Sequence, residues 1–251
     1  MSTSDPNPDS PQKRRFATTC WSVVLRAGAD PSDETREALT ELTHSYWYPL
    51  YAFARRQGIG DHDALDLTQG FFVHLLDGNA LGTVSPDKGR FRSFLLASFK
   101  NFMANQRRAA ETIRRGGDVR TLSLTAHDFG TRFDREPVHN ETPEICFQRS
   151  WVEALLLKVR TRLAEDYQQA GKSTLFKLLE PHLTQQGEAV PRADIARQLN
   201  LSAAAVGMSI HRMRRRYGEL LRAEVAATVD NPAEVEDELR TLMAIVSRSE
   251  N

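Results

Sequence analysis

Side chains suited to reading duplex DNA lie between positions 202 and 216, where small uncharged residues are followed by a cluster of arginines. Short side chains let a helix backbone approach base edges in the major groove, and guanidinium groups bind the phosphates on either side. The stretch therefore predicts a nucleic-acid contact; a helical hairpin with a solvated basic face is the alternative. The candidate contact residues are Ser202, Ala203, Ala204, Gly207, Met208, His211, Arg212, Arg214, Arg215 and Arg216.

Two helical patterns position these side chains. The first is interrupted at residues 200–202, where Ser202 is a suitable N-cap for the helix that follows. In the second, apolar residues recur at steps of four and three, which places them on one side of the helix and the candidate contacts on the other. The apolar positions of the two patterns are Ile195, Ala196 and Leu199, then Val206, Ile210, Met213, Tyr217 and Leu220. The spacing predicts a helix-turn-helix over residues 191–217.

A second candidate contact surface is the helix predicted from Phe91 to Arg108. Cations and amides lie there beside an aromatic-rich side, a combination that suits single-stranded DNA because bases stack and phosphates are neutralised. An ordinary core helix with a solvated basic face is the alternative, since the phenylalanines sit at core spacing. The candidate residues are Arg92, Ser93, Phe94, Lys100, Asn101, Asn105, Arg107 and Arg108.

Acidic residues begin another predicted helix, over residues 63–76. Acids in a first helical turn complement the helix dipole, which is sufficient to explain them. Two other interpretations are a metal site, although further ligands are sparse, and a docking helix that exposes Asp66 and Gln69 beside an apolar stripe. The candidate docking residues are Asp63, Asp66, Leu67, Gln69, Phe71, Phe72 and Leu75.

Patterns typical of catalysis or cofactor binding are missing from the sequence. Residues 170–174 look like the end of a phosphate-binding loop, but the first glycine of that motif would fall at Asp166, and a helix precedes it. The seven histidines are scattered, and none pairs with a cysteine or carboxylate at ligand spacing. The sequence thus predicts a protein that is not an enzyme and takes no cofactor or metal.

Charge is balanced overall but unevenly distributed. The chain has 33 basic and 33 acidic residues over 251 positions; residues 88–120 and 212–222 are basic, and residues 230–238 are acidic. Separate basic patches suit a protein that meets nucleic acid and a second partner. The only cysteines, Cys20 and Cys146, argue against a disulfide framework, and neither a membrane span nor a signal peptide is evident. We therefore expect a cytoplasmic protein without membrane contact.

Helical periodicity recurs along most of the chain without period-two alternation, which predicts an all-α fold. Periodicity fails in the middle, so two small helical domains joined by a linker are expected. The predicted segments are a disordered N-terminus (1–14), a first domain (15–115), a linker (116–143), a second domain (144–229) and an acidic extension (230–251). An amphipathic helix is predicted in that extension, folded back so that its carboxylates compete with phosphate for the arginines of the second domain.

Three of these motifs, in this order, resemble those of bacterial RNA polymerase sigma factors of the extracytoplasmic-function type. Residues 63–72 are similar to that family's core-binding helix, D-A-x-D-L-x-Q-x-x-F, and residues 89–108 to its promoter-melting and minus-ten-reading helix. The helix-turn-helix resembles its minus-thirty-five reader. The chain departs from the family at Phe94, where Trp is usual, and at Asn105, where Asp is usual.

The resemblance implies a sigma factor with a region 2-like domain that docks on the polymerase clamp and holds the minus-ten strand. A region 4-like domain would read the minus-thirty-five element. The implied partners are core RNA polymerase, through its clamp and flap regions, and promoter DNA, with an anti-sigma or other regulatory protein as a further one. Two rival classes stay open: a dimeric helix-turn-helix regulator that binds duplex DNA independently of polymerase, and a structural helical adaptor.

Overall fold

The computed structural model describes residues 33–76, 90–113, 132–134, 141–183, 190–229 and 231–249. Within these ranges every regular element is a helix, which confirms the all-α prediction. None of the helices in this part of the chain is long and apolar enough to cross a membrane. The predicted disordered N-terminus and Cys20 lie outside the described residues.

Eight α-helices are described, and two 3-10 turns follow α5 and precede α8. The helices are α1 (Asp33–Arg56), α2 (Asp61–Leu76), α3 (Phe91–Ile113), α4 (Pro143–Gln169), α5 (Ser173–Leu179), α6 (Arg192–Leu199), α7 (Ala203–Ala226) and α8 (Val235–Ser249). Helix α5 ends at Leu179 and passes into a 3-10 turn at Glu180–His182, because Pro181 has no N–H to continue the α-helical ladder. The predicted amphipathic helix in the C-terminal extension is confirmed as α8, with Leu239 and Leu242 on its buried side.

The chain forms two compact units, residues 1–154 with 225–251, and residues 155–224. Their boundaries fall inside α4 and α7 and so do not coincide with the predicted domains. The reason lies in the first half of α4, where Phe147 and Trp151 are buried. Trp151 stacks on Tyr46 of α1 with ring centroids 6.0 Å apart, so this half of α4 completes the first unit.

Aromatic residues dominate the core of the first unit. Phe99 of α3 packs edge-on against Phe53 of α1 at 6.2 Å and against Phe71 of α2 at 5.1 Å. Because the Phe99 ring contacts both other helices, it helps to fix how α1, α2 and α3 pack against one another. The fully buried aromatic residues of this core are Tyr46, Tyr51, Phe53, Phe71, Phe91, Phe99, Phe147 and Trp151.

A short part of the predicted linker packs on α1. The Arg132 guanidinium lies 3.7 Å from the centre of the Tyr48 ring, and Phe133 lies under the guanidinium of Arg55 at 5.0 Å. Asp134 pairs with Arg55 at 3.4 Å. Residues 132–134 therefore belong to the first unit in structure as well as in sequence position.

The second unit has its own apolar core, to which all of its helices contribute. Side chains with no more than 6% exposure are Val159 and Leu163 of α4, Phe176 and Leu179 of α5, Ile195 of α6, and Val206, Ile210, Met213, Leu220 and Leu221 of α7. This core holds α6 and α7 as one packed pair with the corner between α4 and α5.

Candidate nucleic-acid interface

The helix-turn-helix consists of α6, the turn at residues 200–202, and α7. Asn200 ends α6 in the left-handed conformation with φ 53°, and the Leu201 N–H donates to the Ala196 carbonyl at 2.9 Å. Ser202 begins α7, because its Oγ accepts a hydrogen bond from the Ala205 N–H at 3.1 Å. The predicted interruption and the predicted N-cap are both confirmed.

The apolar stripe of α7 faces the interior, as the spacing predicts. Val206 and Met213 have no exposed surface, and Ile210 and Leu220 are 2% exposed. Tyr217 is half-buried, and burial raises the pKa of its hydroxyl. Burial of this stripe sets the rotation of α7 and turns the candidate contact residues outward.

The first two turns of α7 present small and uncharged side chains to solvent. Ala203, Ala204 and His211 are exposed, and Met208 is 59% exposed. Gly207 is half-buried, and a Cβ added there would meet no described atom within 4 Å. This part of α7 therefore combines low bulk with apolar surface, as a helix that approaches base edges requires.

The four arginines of α7 that are predicted to bind phosphates are all exposed, but they differ in their contacts with the rest of the protein. Arg214 donates from Nε to the His182 carbonyl at 2.8 Å, and Arg216 pairs with Asp166 at 2.7 Å. Arg215 pairs with Glu219, one helical turn later, at 3.0 Å. Among the described residues, Arg212 has no ion-pair partner. Within the described part of the chain, three arginines of the predicted phosphate-contacting set are thus already engaged with the protein, and Arg212 is not ion-paired.

The chain as a whole is neutral, but the second unit is basic. Residues 155–224 contain twelve Lys/Arg and seven Asp/Glu, whereas the rest of the chain has 21 Lys/Arg and 26 Asp/Glu. The unit that carries the helix-turn-helix therefore has the charge that favours association with a polyanion.

On α3, most of the predicted contact residues form a solvent-facing row. Among them, Lys100 bonds to Glu144 at 2.5 Å and lies 5.4 Å from the Phe53 ring centre. The hydrogen bond from Lys100 lowers the pKa of the Glu144 carboxyl. Phe94 is half-buried, and the exposed residues are Ser93, Lys100, Asn101, Asn105, Arg107 and Arg108.

Arg92 is placed differently from its prediction as a DNA contact, since it is only 3% exposed. Its guanidinium pairs with Glu238 of α8, which is 1% exposed, and lies 5.0 Å from the Trp151 ring centre. Arg90 also binds Glu238, at 2.7 Å, and Asp237 at 3.2 Å. The acidic extension therefore pairs with arginines at the start of α3. Its predicted contact with the arginines of the second domain is corrected, because the buried face of α8 belongs to the first unit.

On α2, the polar and the apolar residues predicted to dock a partner differ in their exposure to solvent. Asp63 and Asp66 are exposed, and no partner of either is found among the described residues. The predicted docking stripe, by contrast, lies mainly in the core: Phe71 packs edge-on against Phe99, Phe72 lies parallel to Trp47 at 5.4 Å, and both are buried together with Leu75. Leu67 and Gln69 are half-buried. An apolar residue not predicted for this surface, Val73, is 43% exposed.

Asp61, the first acid of α2, has a structural role. The Tyr51 hydroxyl donates to its carboxylate, and Arg55 pairs with it at 3.0 Å. Burial raises the pKa of Tyr51, and the hydrogen bond to Asp61 raises it further. These contacts join the end of α1 to the start of α2, across the turn at Gly58, whose φ is +82°.

Lys172 is a candidate contact that the sequence prediction missed. It lies in the turn between α4 and α5, and it lines a cavity of about 290 Å³ together with Arg212 and Arg216 of α7. The local signal was its position in residues 170–174, which resemble part of a phosphate-binding loop only in composition. In the described part of the chain, no cluster of three or more His, Cys, Asp or Glu could hold a metal ion.

No protein-family model, curated protein or solved structure matches this chain.

Proposed function

We propose that this chain is a sigma factor, which binds core RNA polymerase and directs it to promoters. The observation that carries the proposal is the helix-turn-helix in a basic unit, whose second helix exposes an uncharged start followed by arginines. The resemblance of residues 63–72 and 89–108 to sigma-factor motifs adds the polymerase to what would otherwise be a DNA-binding module.

In this proposal α7 reads the minus-thirty-five element in the major groove. Ala203, Ala204, Gly207, Met208 and His211 lie where base edges are contacted, through apolar surface and the imidazole nitrogens. The arginines that follow bind phosphates and are less sensitive to sequence. Among them Arg212 is the most readily available, because it has no ion pair to break among the described residues.

The first unit is proposed to supply two further contacts, one with the minus-ten element and one with the polymerase. The exposed row of α3 offers Asn101, Asn105 and Arg107 to the non-template strand of the minus-ten element, with Phe94 near its start. On α2, Asp66 and the half-buried Gln69 are proposed to bind the polymerase clamp through charge-assisted hydrogen bonds. The polymerase supplies the chemistry, so the chain itself acts by binding in the cytoplasm.

The test is a pull-down of purified core RNA polymerase with the full chain, followed by run-off transcription from a promoter library. Asp66→Ala with Gln69→Ala should weaken the interaction with core polymerase and reduce run-off product. The matched control is Glu165→Ala with Gln168→Ala, an acid and an amide at the same spacing, both exposed on α4. The control should bind core polymerase as the unmodified chain does.

Two results would overturn the proposal. Duplex DNA binding without any retention of core polymerase would identify a regulator that acts independently of polymerase. Failure to bind either DNA or polymerase would favour a structural adaptor. Equal loss of polymerase binding in the α2 and α4 variants would leave the sigma assignment intact but would remove α2 as the specific docking surface.

A further inference from the structure

A cavity of about 290 Å³ lies beside α7, within the second unit. On one side it is lined by Arg212 and Arg216, which are one helical turn apart on α7, and on the other by Asp166 and Tyr167 at the end of α4. Lys172, from the turn before α5, completes its polar lining. The cavity thus joins three elements of which only α7 carries predicted DNA contacts.

The turn that carries Lys172 is fixed by the backbone. Gly171 has φ +68°, a conformation that favours glycine, and the Lys172 N–H donates to the Tyr167 carbonyl at 2.8 Å. Lys172 is therefore held at the corner where α4 ends, while its exposed side chain keeps its freedom to reach a ligand.

The cavity has an excess of positive charge. Arg216 is neutralised by Asp166, to which its Nε donates at 2.8 Å and its Nη2 pairs at 2.7 Å. Lys172 and Arg212 have no ion-pair partner among the described residues, so two cations stay available to a ligand. An oxyanion is the chemistry that such a pair binds.

A neutral donor adds to the two cations. Tyr167 lines the cavity with its ring packed against Phe176 at 5.4 Å; burial raises the pKa of its hydroxyl, which is protonated at neutral pH even at the ordinary tyrosine value. Ser209 offers no such donor, because its hydroxyl already donates to the Ala205 carbonyl at 2.9 Å. Leu175 and Ala170 give the cavity an apolar wall.

The position of Arg212 indicates which oxyanion fits. Arg212 lies one turn after Met208 and next to His211, so the cavity begins at the edge of the surface proposed to read bases. Phosphates of the duplex backbone flank any helix that lies in the major groove. We propose that this cavity binds one backbone phosphate of duplex DNA through Lys172 and Arg212, with the adjoining sugar against Leu175. This inference rests on the proposed function and adds a second element, the α4–α5 turn, to the DNA contact.

The test measures binding of the full chain to a duplex of fixed sequence over a range of salt concentrations. Each lost phosphate contact should reduce the slope of log K against log salt by about 0.9. For Lys172→Gln, the affinity deficit should therefore be roughly 3- to 4-fold larger at 50 mM than at 200 mM salt. Arg212→Gln should behave alike, and Lys177→Gln, an exposed lysine of α5 outside the cavity, should keep the slope of the unmodified chain.

A scan of single methylphosphonate substitutions in the same duplex identifies the phosphate, because removing its charge should abolish the difference between Lys172→Gln and the unmodified chain. Titration with inorganic phosphate distinguishes the other source of this chemistry. Millimolar binding of free phosphate with an unchanged DNA salt slope would overturn the proposal in favour of a small-anion site. An unchanged slope without phosphate binding would overturn it outright.

The same variants separate the two proposals. If the chain directs initiation by core polymerase but Lys172→Gln leaves the salt slope unchanged, the cavity proposal fails and the sigma assignment stands. If the slope falls as expected but no initiation is directed, the phosphate site stands and the sigma assignment fails. Thermal unfolding of each variant shows whether the exposed substitutions preserve the fold.

Discussion

Gly207 is the position at which stability and DNA binding are expected to conflict. It lies inside α7, where glycine is less favourable than alanine by about 0.8–1.0 kcal/mol. A Cβ at this position would meet no described atom within 4 Å, so Gly207→Ala carries no steric cost that offsets the gain in helix propensity. For a unit of about 70 residues, a gain near 1 kcal/mol should raise the unfolding midpoint by roughly 4–8 °C.

The same methyl group would stand on the surface proposed to approach base edges. If the approach is close, Gly207→Ala should weaken binding to the preferred duplex by about 1–3 kcal/mol, which is roughly 5- to 150-fold. Calorimetric unfolding measures the first effect, and fluorescence anisotropy with a labelled promoter duplex measures the second.

Gly218→Ala is the matched control in the same helix. A Cβ there would lie 3.4 Å from Nη1 of Arg222, the far end of a flexible side chain, so this change should also stabilise the helix. Because position 218 comes three turns after position 207, we expect Gly218→Ala to bind DNA with the affinity of the unmodified chain. If both variants stabilise and both bind DNA as the unmodified chain does, the start of α7 does not approach the bases, and its placement in the groove is wrong.

Three further predictions concern the contacts that position these surfaces. Glu238→Gln leaves Arg92 buried without its counter-ion and should lower the free energy of unfolding by about 3 kcal/mol. At an m-value of about 3 kcal/mol/M, this loss lowers the urea midpoint by roughly 1 M. Replacing both Arg92 and Glu238 by Met should recover most of this loss, and no recovery would contradict the reasoning. Ser202→Ala removes the N-cap of α7 and should lower the free energy of unfolding by about 1 kcal/mol, as measured by chemical denaturation. An unchanged free energy of unfolding would mean that the Ala205 N–H has another acceptor. Because folding raises the pKa of Tyr51, the neutral hydroxyl contributes stability that is complete below about pH 10 and is lost as the pH rises through the folded-state pKa. Tyr51→Phe should therefore lose less free energy of unfolding above pH 10 than the unmodified chain. Identical stability-against-pH profiles of the two proteins above pH 10 would refute this.

Features set by neighbours in sequence were predictable. The break at residues 200–202 follows from Asn200, which tolerates the left-handed conformation, and from Ser202, which caps the next helix. The buried stripe of α7 follows from period alone, and so does the exposure of the opposite face. These parts of the candidate site need only local information.

The burial of Arg92, by contrast, depends on tertiary structure and could not be predicted from local sequence. Its position on α3 indicates a flank of the helix, and its burial is possible only because Glu238, far along the chain, supplies a counter-ion. The same distinction applies to Phe71 on α2, since an apolar stripe predicts burial without indicating whether the chain's own core or a partner covers it. Lys172 was missed because the cavity that it lines is assembled from three separate elements.

The first unit is discontinuous in sequence, and this has a consequence for how the protein is made. Residues 155–224 leave the ribosome as one contiguous segment and can form their contacts at once. Arg90, by contrast, waits for Asp237, 147 positions later, and its neighbour Arg92 waits for Glu238. A nascent chain that stops before α8 therefore lacks the carboxylate that pairs with Arg92, and its first unit should be less stable than that of the finished chain. The pairing of α8 with α3 thus makes the full stability of the first unit depend on synthesis beyond residue 238.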